Sequence, residues 1–328
     1  MKQLIEDFDK ELLHALSICD NIKFKQTTST ISTIVVSGMG GSGIGGSIVY
    51  ALLSKQINCP FIINKSYFLP SFVNSQSLVI ICSYSGNTEE SIQAFHEAIA
   101  KKATIVCITS GGTLLDLAKQ HDINHIIIPS GRPPRASLGY SLVHIMTTLV
   151  QYQVVEASIL QEIRSISTFI KKEQASIRLI CTQLAEELST KLPVLYCEDK
   201  IEAIVIRWKQ QLNENSKMLC WHNVYPELNH NELVGWREKQ EHLALLMITT
   251  GDEYSRVKHR MELNKPVFQK ITPHIHPIEA VGNNMMEKIF YLIHFGDWLS
   301  YFLAEKRAYD PSEIDVLIQL KNDLSNIK

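Results

Sequence analysis

Several kinds of residue in this sequence could act together on an anionic, proton-labile substrate: clustered glycines and hydroxyls, arginine, a carboxylate, and further along the chain a histidine and a lysine. The sharpest run is Gly38-Met39-Gly40-Gly41-Ser42-Gly43, directly after the apolar stretch 31–36. Glycine lets backbone approach a ligand closely, and a helix beginning there presents amides that lack acceptors, so the run can cradle an oxyanion. The spacing also fits a dinucleotide fingerprint. A monophosphate, a pyrophosphate and a purely structural turn all remain open for this loop taken alone, while the Gly-Lys-Ser/Thr ending of a P-loop is absent. A second run, Ser83-Tyr84-Ser85-Gly86-Asn87-Thr88-Glu89-Glu90, follows another apolar stretch. Its hydroxyls at Ser83, Ser85 and Thr88 can donate to phosphate oxygens, with Thr88 also placed to cap the next helix. A third, from Ser130 to Gly139, offers Arg132 and Arg135 as fixed donors to negative oxygen, and composition does not choose between them.

The second half supplies candidate acid–base groups. Glu214 lies in Arg207-Trp208-Lys209-Gln210-Gln211-Leu212-Asn213-Glu214, where a helix would set Gln210 and Glu214 on one face. His230 stands between Asn229 and Asn231, either of which can orient its ring. Lys321 sits near the C-terminus, in a helix expected to start at Asp310-Pro311. Each, taken singly, is also an ordinary surface or structural residue. Together they suit an aldose–ketose interconversion: His230 and Lys321 for opening the sugar ring, Glu214 for carrying a proton between C1 and C2, and Arg135 for steadying the negative charge that develops. His274 and His276 are close in sequence but define no metal centre.

The elements that must position these groups follow from hydrophobic patterning. Apolar runs at 31–36, 61–63, 78–82, 104–108 and 125–128 predict buried parallel strands. They alternate with helices predicted at 42–55, 88–102, 113–120 and 139–152. Residues 153–191 predict one or two bridging helices. Strands are then expected at 193–197 and 243–250, and helices at 254–263 and 284–306, with the aromatic run 290–298 used for helix packing. The whole is α/β, with mostly parallel central sheets, and divides into domains at 1–153 and 154–328. A chain of 328 residues exceeds the roughly 250–300 over which one core stops growing.

Composition narrows the partners. A formal net charge of -2 with 20% charged residues gives no basic field for nucleic acid. No stretch of eighteen continuous apolar residues suggests a membrane span, and the acidic start MKQLIEDFDKELLHAL is unlike a secretory signal, so a cytoplasmic location is expected. Seven scattered cysteines lack the pairing of a zinc module or disulfide framework, and Cys82 and Cys107 are expected in the core.

Taken together, the two glycine–hydroxyl loops, Pro134-Arg135, Gln211-Leu212-Asn213-Glu214-Asn215, Asn229-His230-Asn231-Glu232, the helix with Phe290, Gly296, Asp297, Ser300 and Tyr301, and Asp310-Pro311 leading to Lys321 resemble the bifunctional phosphoglucose/phosphomannose isomerases of the sugar isomerase (SIS) domain family. The resemblance spans essentially the whole chain and implies two SIS-type three-layer α/β/α sandwich domains. It implies that Gly41, Ser42, Ser83, Ser85 and Thr88 bind substrate phosphate and that Arg135 both binds substrate and stabilises an enediolate. It gives Glu214 the C1/C2 proton transfer, and His230 with Lys321 the ring opening. It further implies interconversion of glucose 6-phosphate or mannose 6-phosphate with fructose 6-phosphate, no metal or redox cofactor, and a homodimer, the arrangement general in the family, in which the histidine at His230 can act either in its own site or in the partner's. A nicotinamide-dependent dehydrogenase and a non-catalytic sugar-phosphate-binding regulatory protein are the alternatives; the first needs a hydride acceptor, the second binds without turnover.

Overall fold

The computed structural model describes residues 1–20, 22–27 and 30–327. The chain divides into two compact units. An N-terminal unit comprises Glu6–Glu173 with Gly282–Phe290, and a C-terminal unit comprises Gln174–Val281 and Tyr291–Lys328 with Met1–Ile5.

In the N-terminal unit, helices α1 (Lys2–Glu6, mostly contributed to the other unit) and α2 (Phe8–Cys19) precede an alternating series. The series runs β1 (Thr33–Ser37), α3 (Gly40–Leu53), β2 (Phe61–Asn64), β3 (Ser77–Ser83), α4 (Glu89–Ala100), β4 (Thr104–Thr109), α5 (Gly112–Gln120), β5 (Asn124–Ile127) and α6 (Leu138–Gln151). The strands pair in the order β2-β1-β3-β4-β5, all parallel. Successive side chains alternate across the sheet. Val35, Val79, Ile81, Ile105 and Cys107 pack under Phe95 of α4 and Leu114 of α5 on one face. On the other, a Cβ on Gly46 of α3 would lie 2.7 Å from Val36 Cγ1, so that helix rests directly on β1. The result is a three-layer α/β/α sandwich, and the five strands coincide with the five apolar runs of this half.

The C-terminal unit repeats the plan after the 31-residue helix α7 (Ser158–Leu188), which spans the 153–191 segment as one helix. There follow β6 (Leu192–Glu198), α8 (Glu202–Ser216), β7 (Trp221–Tyr225), β8 (Leu243–Thr249), α9 (Ser255–Gln269), β9 (Ile275–Glu279), α10 (Met285–Lys306) and α11 (Asp315–Ser325). The parallel order is β7-β6-β8-β9. One face of this sheet buries Val194, Tyr196, Leu245 and Met247 against Val257, Met261 and Phe268 of α9.

Three local expectations need correction. Strands β7 and β9 flank the sheet and escaped the sequence reading because their mixed polarity suits edges. Pro277 lies inside β9, which an edge strand tolerates since one side needs no donor. Helix α9 continues past the expected end at 263 and through Pro266, drawn on by Phe268, which is fully buried. The C-terminal helix starts at Asp315 rather than at Asp310-Pro311, because the Asp310 carboxylate instead accepts from Ser312 N (2.7 Å) in a tight turn.

Burial also sets a pH dependence. His144 in α6 and His294 in α10 are fully enclosed, and loss of solvation pushes their pKa values down to about 4 and about 3. Both are therefore neutral in the fold but protonated below about 6.5 when unfolded. Their stabilisation is complete above that value and is lost as pH falls from 6.5 toward 4. Urea unfolding across this window should show stability falling with acidity, less steeply in His144→Phe. A wild-type stability that stays level from pH 7 to pH 4.5 would show that the fold accepts the protonated rings.

Candidate active site

The order of the first sheet makes the chain leave β1 for β2 on one side and return to β3 on the other, so a crevice opens between the carboxyl ends of β1 and β3. Both glycine–hydroxyl loops end there. Gly38 N donates to Asn64 O (3.2 Å), and Asn64 Nδ2 donates to Ser37 Oγ (3.1 Å), fixing the end of β1 against β2. A Cβ on Gly43 would sit 2.2 Å from Gly38 O, so only glycine permits the first turn of α3 to fold back on the loop. The amides of Gly40 and Gly41, in that first turn, have no carbonyl one turn earlier to receive them and carry the helix's partial positive charge.

The second loop supplies hydroxyls to the same place. Tyr84 N donates to Ser42 Oγ (3.3 Å), joining the two loops. Ser83 Oγ donates to Thr88 Oγ1 (3.0 Å) and accepts from Gly86 N (3.1 Å), while Ser85 Oγ accepts from Asn87 N (3.2 Å). Ser83 is buried, Thr88 half-buried and Ser85 exposed. Gly86 has φ +70°, and a Cβ there would fall 1.8 Å from Gly111 O, so the loop closes only around glycine. Thr88 occupies the N-cap position of α4, yet its side chain makes no capping hydrogen bond, being turned toward Ser83 instead.

The third segment separates the two arginines. Tyr84 Oη donates to Pro129 O (2.9 Å) and accepts from Arg132 N (2.8 Å), binding the segment to the second loop. Arg132 Nη1 then pairs with Glu11 Oε2 at 2.7 Å, and Glu11 Oε1 accepts from Gly139 N at 2.6 Å. Arg135 lies in the short 3-10 turn Pro134–Ala136 and is only 3% exposed. A Cβ on Gly41 would meet Pro134 O at 3.1 Å and Arg135 N at 3.2 Å. Gly41, Ser42, Ser83, Thr88 and the Arg135 backbone are thus drawn into one region, while Arg132 serves Glu11. The sequence reading missed Glu11, whose partner lies 121 residues away and leaves no local pattern.

In the C-terminal unit, α8 presents one polar face to α10. Arg207 Nη2 donates to both oxygens of Asp297 (2.8 Å each), Gln211 Nε2 to Asp297 Oδ1 (2.7 Å), Asn215 Nδ2 to Ser300 Oγ (2.9 Å) and Ser216 Oγ to Ser300 O (2.6 Å). Burial pushes the Asp297 carboxyl up, and Arg207 and Gln211 pull it back. Residues 207, 211 and 215 recur every four positions, so they share a stripe. Gln210 and Glu214 occupy the adjoining stripe, both half-buried.

His230 is exposed at the end of the 3-10 turn Glu227–His230. Neither neighbouring asparagine orients its ring. Asn229 Oδ1 accepts from Arg260 Nη1 (3.4 Å), and Asn231 Nδ2 donates to Glu227 Oε1 (2.6 Å). The turn is anchored through Glu232, whose carboxylate accepts from Trp221 Nε1 (2.9 Å), Asn223 Nδ2 (2.5 Å) and the buried Tyr196 hydroxyl. Lys321 is exposed on α11. His276 lies in β9, 3.6 Å from Glu187, and no group of three metal-ligating side chains forms among the described residues.

The second sheet has its own crevice at the ends of β6 and β8, and it is differently furnished. Glu253 Oε1 accepts from Thr250 N (2.5 Å), Thr250 Oγ1 (3.1 Å) and Gly251 N (3.2 Å), while the buried Glu198 accepts from Tyr254 N (2.7 Å) and pairs with Lys200 (2.5 Å). Strand-end amides that could greet an anion are already taken by the chain's own carboxylates.

Comparison with known proteins accords with this geometry. Residues 29–160 match the SIS domain, and residues 181–324 match the bacterial phospho-glucose isomerase C-terminal SIS domain. The chain is 34% identical over 338 aligned positions to a bifunctional phosphoglucose/phosphomannose isomerase of Caldicellulosiruptor bescii, covering 100% of both chains. It is 34% identical to the enzyme of the same name from Thermoplasma volcanium, over 97% of this chain and 99% of that one. Among solved structures, the C-terminal domain of glucosamine-fructose-6-phosphate aminotransferase from Francisella tularensis shares the fold with a TM-score of 0.76 at 15% identity, over 95% of this chain and 98% of that one. No helix among the described residues is long and apolar enough to cross a membrane. With a paired α/β/α architecture, an amide-and-hydroxyl crevice at the switch point of the first sheet and full-length relatives at this identity, the chain belongs to the bifunctional phosphoglucose/phosphomannose isomerase family of SIS-domain proteins.

Proposed function

We propose that the protein interconverts glucose 6-phosphate and mannose 6-phosphate with fructose 6-phosphate through a shared enediol. Its family makes it a sugar-phosphate isomerase. The observation that carries the finer reading is the uncharged crevice in which Ser42 Oγ is bonded to Tyr84 N and Ser83 Oγ to Thr88 Oγ1 beside free-ended helix amides. Such a site, built of helix-start amides and hydroxyls, suits a phosphate group. In this reading Gly41, Ser42, Ser83, Ser85 and Thr88 hold the phosphate.

Glu214 removes the proton from C2 of the open-chain aldose and returns it to C1, while hydroxyl protons move between O1 and O2. Arg135 steadies the enediolate oxygen. His230 and Lys321 open the ring, taking the hydroxyl proton and supplying one to the ring oxygen. Protonation on either face of C2, after rotation about C2–C3, yields glucose or mannose configuration. Hydrogen travels as a proton, so the chemistry calls for no hydride acceptor. The exposure of His230 on an anchored turn supports its delivery to the site of a second copy in a homodimer.

The test is fructose 6-phosphate formation from each aldose phosphate, using protein dialysed against chelator and supplied with no nicotinamide. Turnover of both substrates is expected. Folded, dimeric protein that binds either sugar phosphate but converts neither would instead be a regulatory binding protein.

A further inference from the structure

We infer that Lys217 is a positioning residue for the proposed isomerisation, holding the end of α8 that carries Glu214 at a set distance from the helix that carries Lys321. The inference rests on the roles proposed above for those two residues. Lys217 is the first residue beyond α8, in the left-handed region at φ +53°, and its side chain is 20% exposed. Its ammonium group donates to three backbone carbonyls: Glu214 O (2.7 Å), Asp310 O (3.0 Å) and Glu313 O (2.7 Å). Three donors meet three backbone acceptors, and the Glu313 carboxylate stands 3.7 Å away as a weaker counter-charge. A cation at this point also answers the partial negative charge of the α8 C-terminus.

The pattern is more than a tether for a loose tail. One acceptor belongs to Glu214 itself, and the other two belong to the turn from which α11 departs. Helix α11 has little packing of its own to place it, for Val316, Leu317, Ile318, Leu320 and Leu324 are all exposed. The turn therefore sets where α11 and its Lys321 go. That turn is internally stiff, with Ser312 N donating to Asp310 Oδ1 (2.7 Å) and Asp315 N to Glu313 Oε1 (2.5 Å). A rigid turn pinned through one ammonium group transmits a fixed geometry from α8 to α11. Guanidinium cannot reproduce it, because a planar fork does not converge on three carbonyls as an ammonium does.

The test is a double-mutant cycle between Lys217→Met, which keeps the length of the side chain, and Lys321→Ala, with amide hydrogen exchange on the same proteins. Wild-type turnover on glucose 6-phosphate is measured first, so an inert wild type refutes the proposed function and leaves the exchange data to judge the positioning. Lys217→Met should lower kcat about a hundredfold, with KM for glucose 6-phosphate changed by less than about threefold, as misplacement of a reacting group does. In the Lys321→Ala background it should cost almost nothing more, because it acts through that residue. Exchange in residues 312–325 should accelerate at least about tenfold while β6 and β8 stay protected. Should Lys217→Met not fold, Lys217→Arg is expected to keep the charge, lose most of kcat and give the same non-additivity. Multiplying effects in the cycle, or unchanged kcat with unchanged exchange in 312–325, would overturn the inference.

Discussion

Glu214→Gln is expected to reduce turnover of both glucose 6-phosphate and mannose 6-phosphate by about a thousandfold, within the range over which a positioned acid–base group acts. Glutamine keeps the size of the side chain and its place on α8, one stripe away from the residues that bond to α10, so the helix should not move. What disappears is the ability to accept a proton from carbon. The crevice proposed to hold the phosphate belongs to the N-terminal unit and is untouched, so KM and the inhibition constant for inorganic phosphate should change little, the signature of an interaction made in the transition state alone. A fall in activity on one aldose phosphate only would contradict a shared enediol. Retention of more than about a tenth of wild-type kcat on both would remove Glu214 from the proton path.

Asp297→Ala should be the most destabilising of the single substitutions considered, by about 3–5 kcal/mol in urea or thermal unfolding. Its carboxylate neutralises Arg207 through two hydrogen bonds and also holds Gln211, all within the buried contact between α8 and α10. Removing it leaves the guanidinium in the core without that counter-charge, whereas the double replacement Arg207→Met with Asp297→Leu should recover much of the loss, since apolar side chains of similar volume can fill such a site. A cost below about 1 kcal/mol for Asp297→Ala would mean that water reaches the pair and screens it. The contact is unforgiving for a second reason: a Cβ on Gly296 would lie 2.4 Å from the Trp208 indole, whose Nε1 donates to Leu292 O (2.8 Å), so the indole fills the space above Gly296 and leaves no room for a side chain there.

How far the sequence foretold all this depends on whether the relevant chemistry is contiguous. The buried strands β1, β3, β4, β6 and β8 announce themselves as apolar runs because both faces are covered. The loops after β1 and β3 are equally legible, since a crevice made of backbone amides and hydroxyls must be written in consecutive small residues. Strands β7 and β9 were hidden by their position, as an edge allows Trp-His-Asn and a proline where a central strand would not. The start of α11 was misplaced because an aspartate followed by proline also makes a tight turn, and tertiary bonds from Lys217 to that turn decide the matter. Glu11 and Lys217 carried no signal at all, and Glu232 entered only as the last residue of the Asn229-His230-Asn231-Glu232 segment, with no hint of its partners. Their work is done on partners brought near by folding, and a single sequence does not record who meets whom. Composition likewise could not rank Arg132 against Arg135, which the fold separates by pairing Arg132 with Glu11 and burying Arg135 in a 3-10 turn beside Gly41.

The furnishing of the second sheet has a consequence for the molecule's traffic with anions. Two sheets wound in the same sense offer two doorways of the same shape, yet Glu198 and Glu253 bolt one of them from within. An incoming phosphate there would have to evict a covalently attached rival that never diffuses away. On the proposed reading, duplicated architecture keeps the anion's port of call on the first sheet and leaves the second sheet as scaffold for the groups assigned to proton handling.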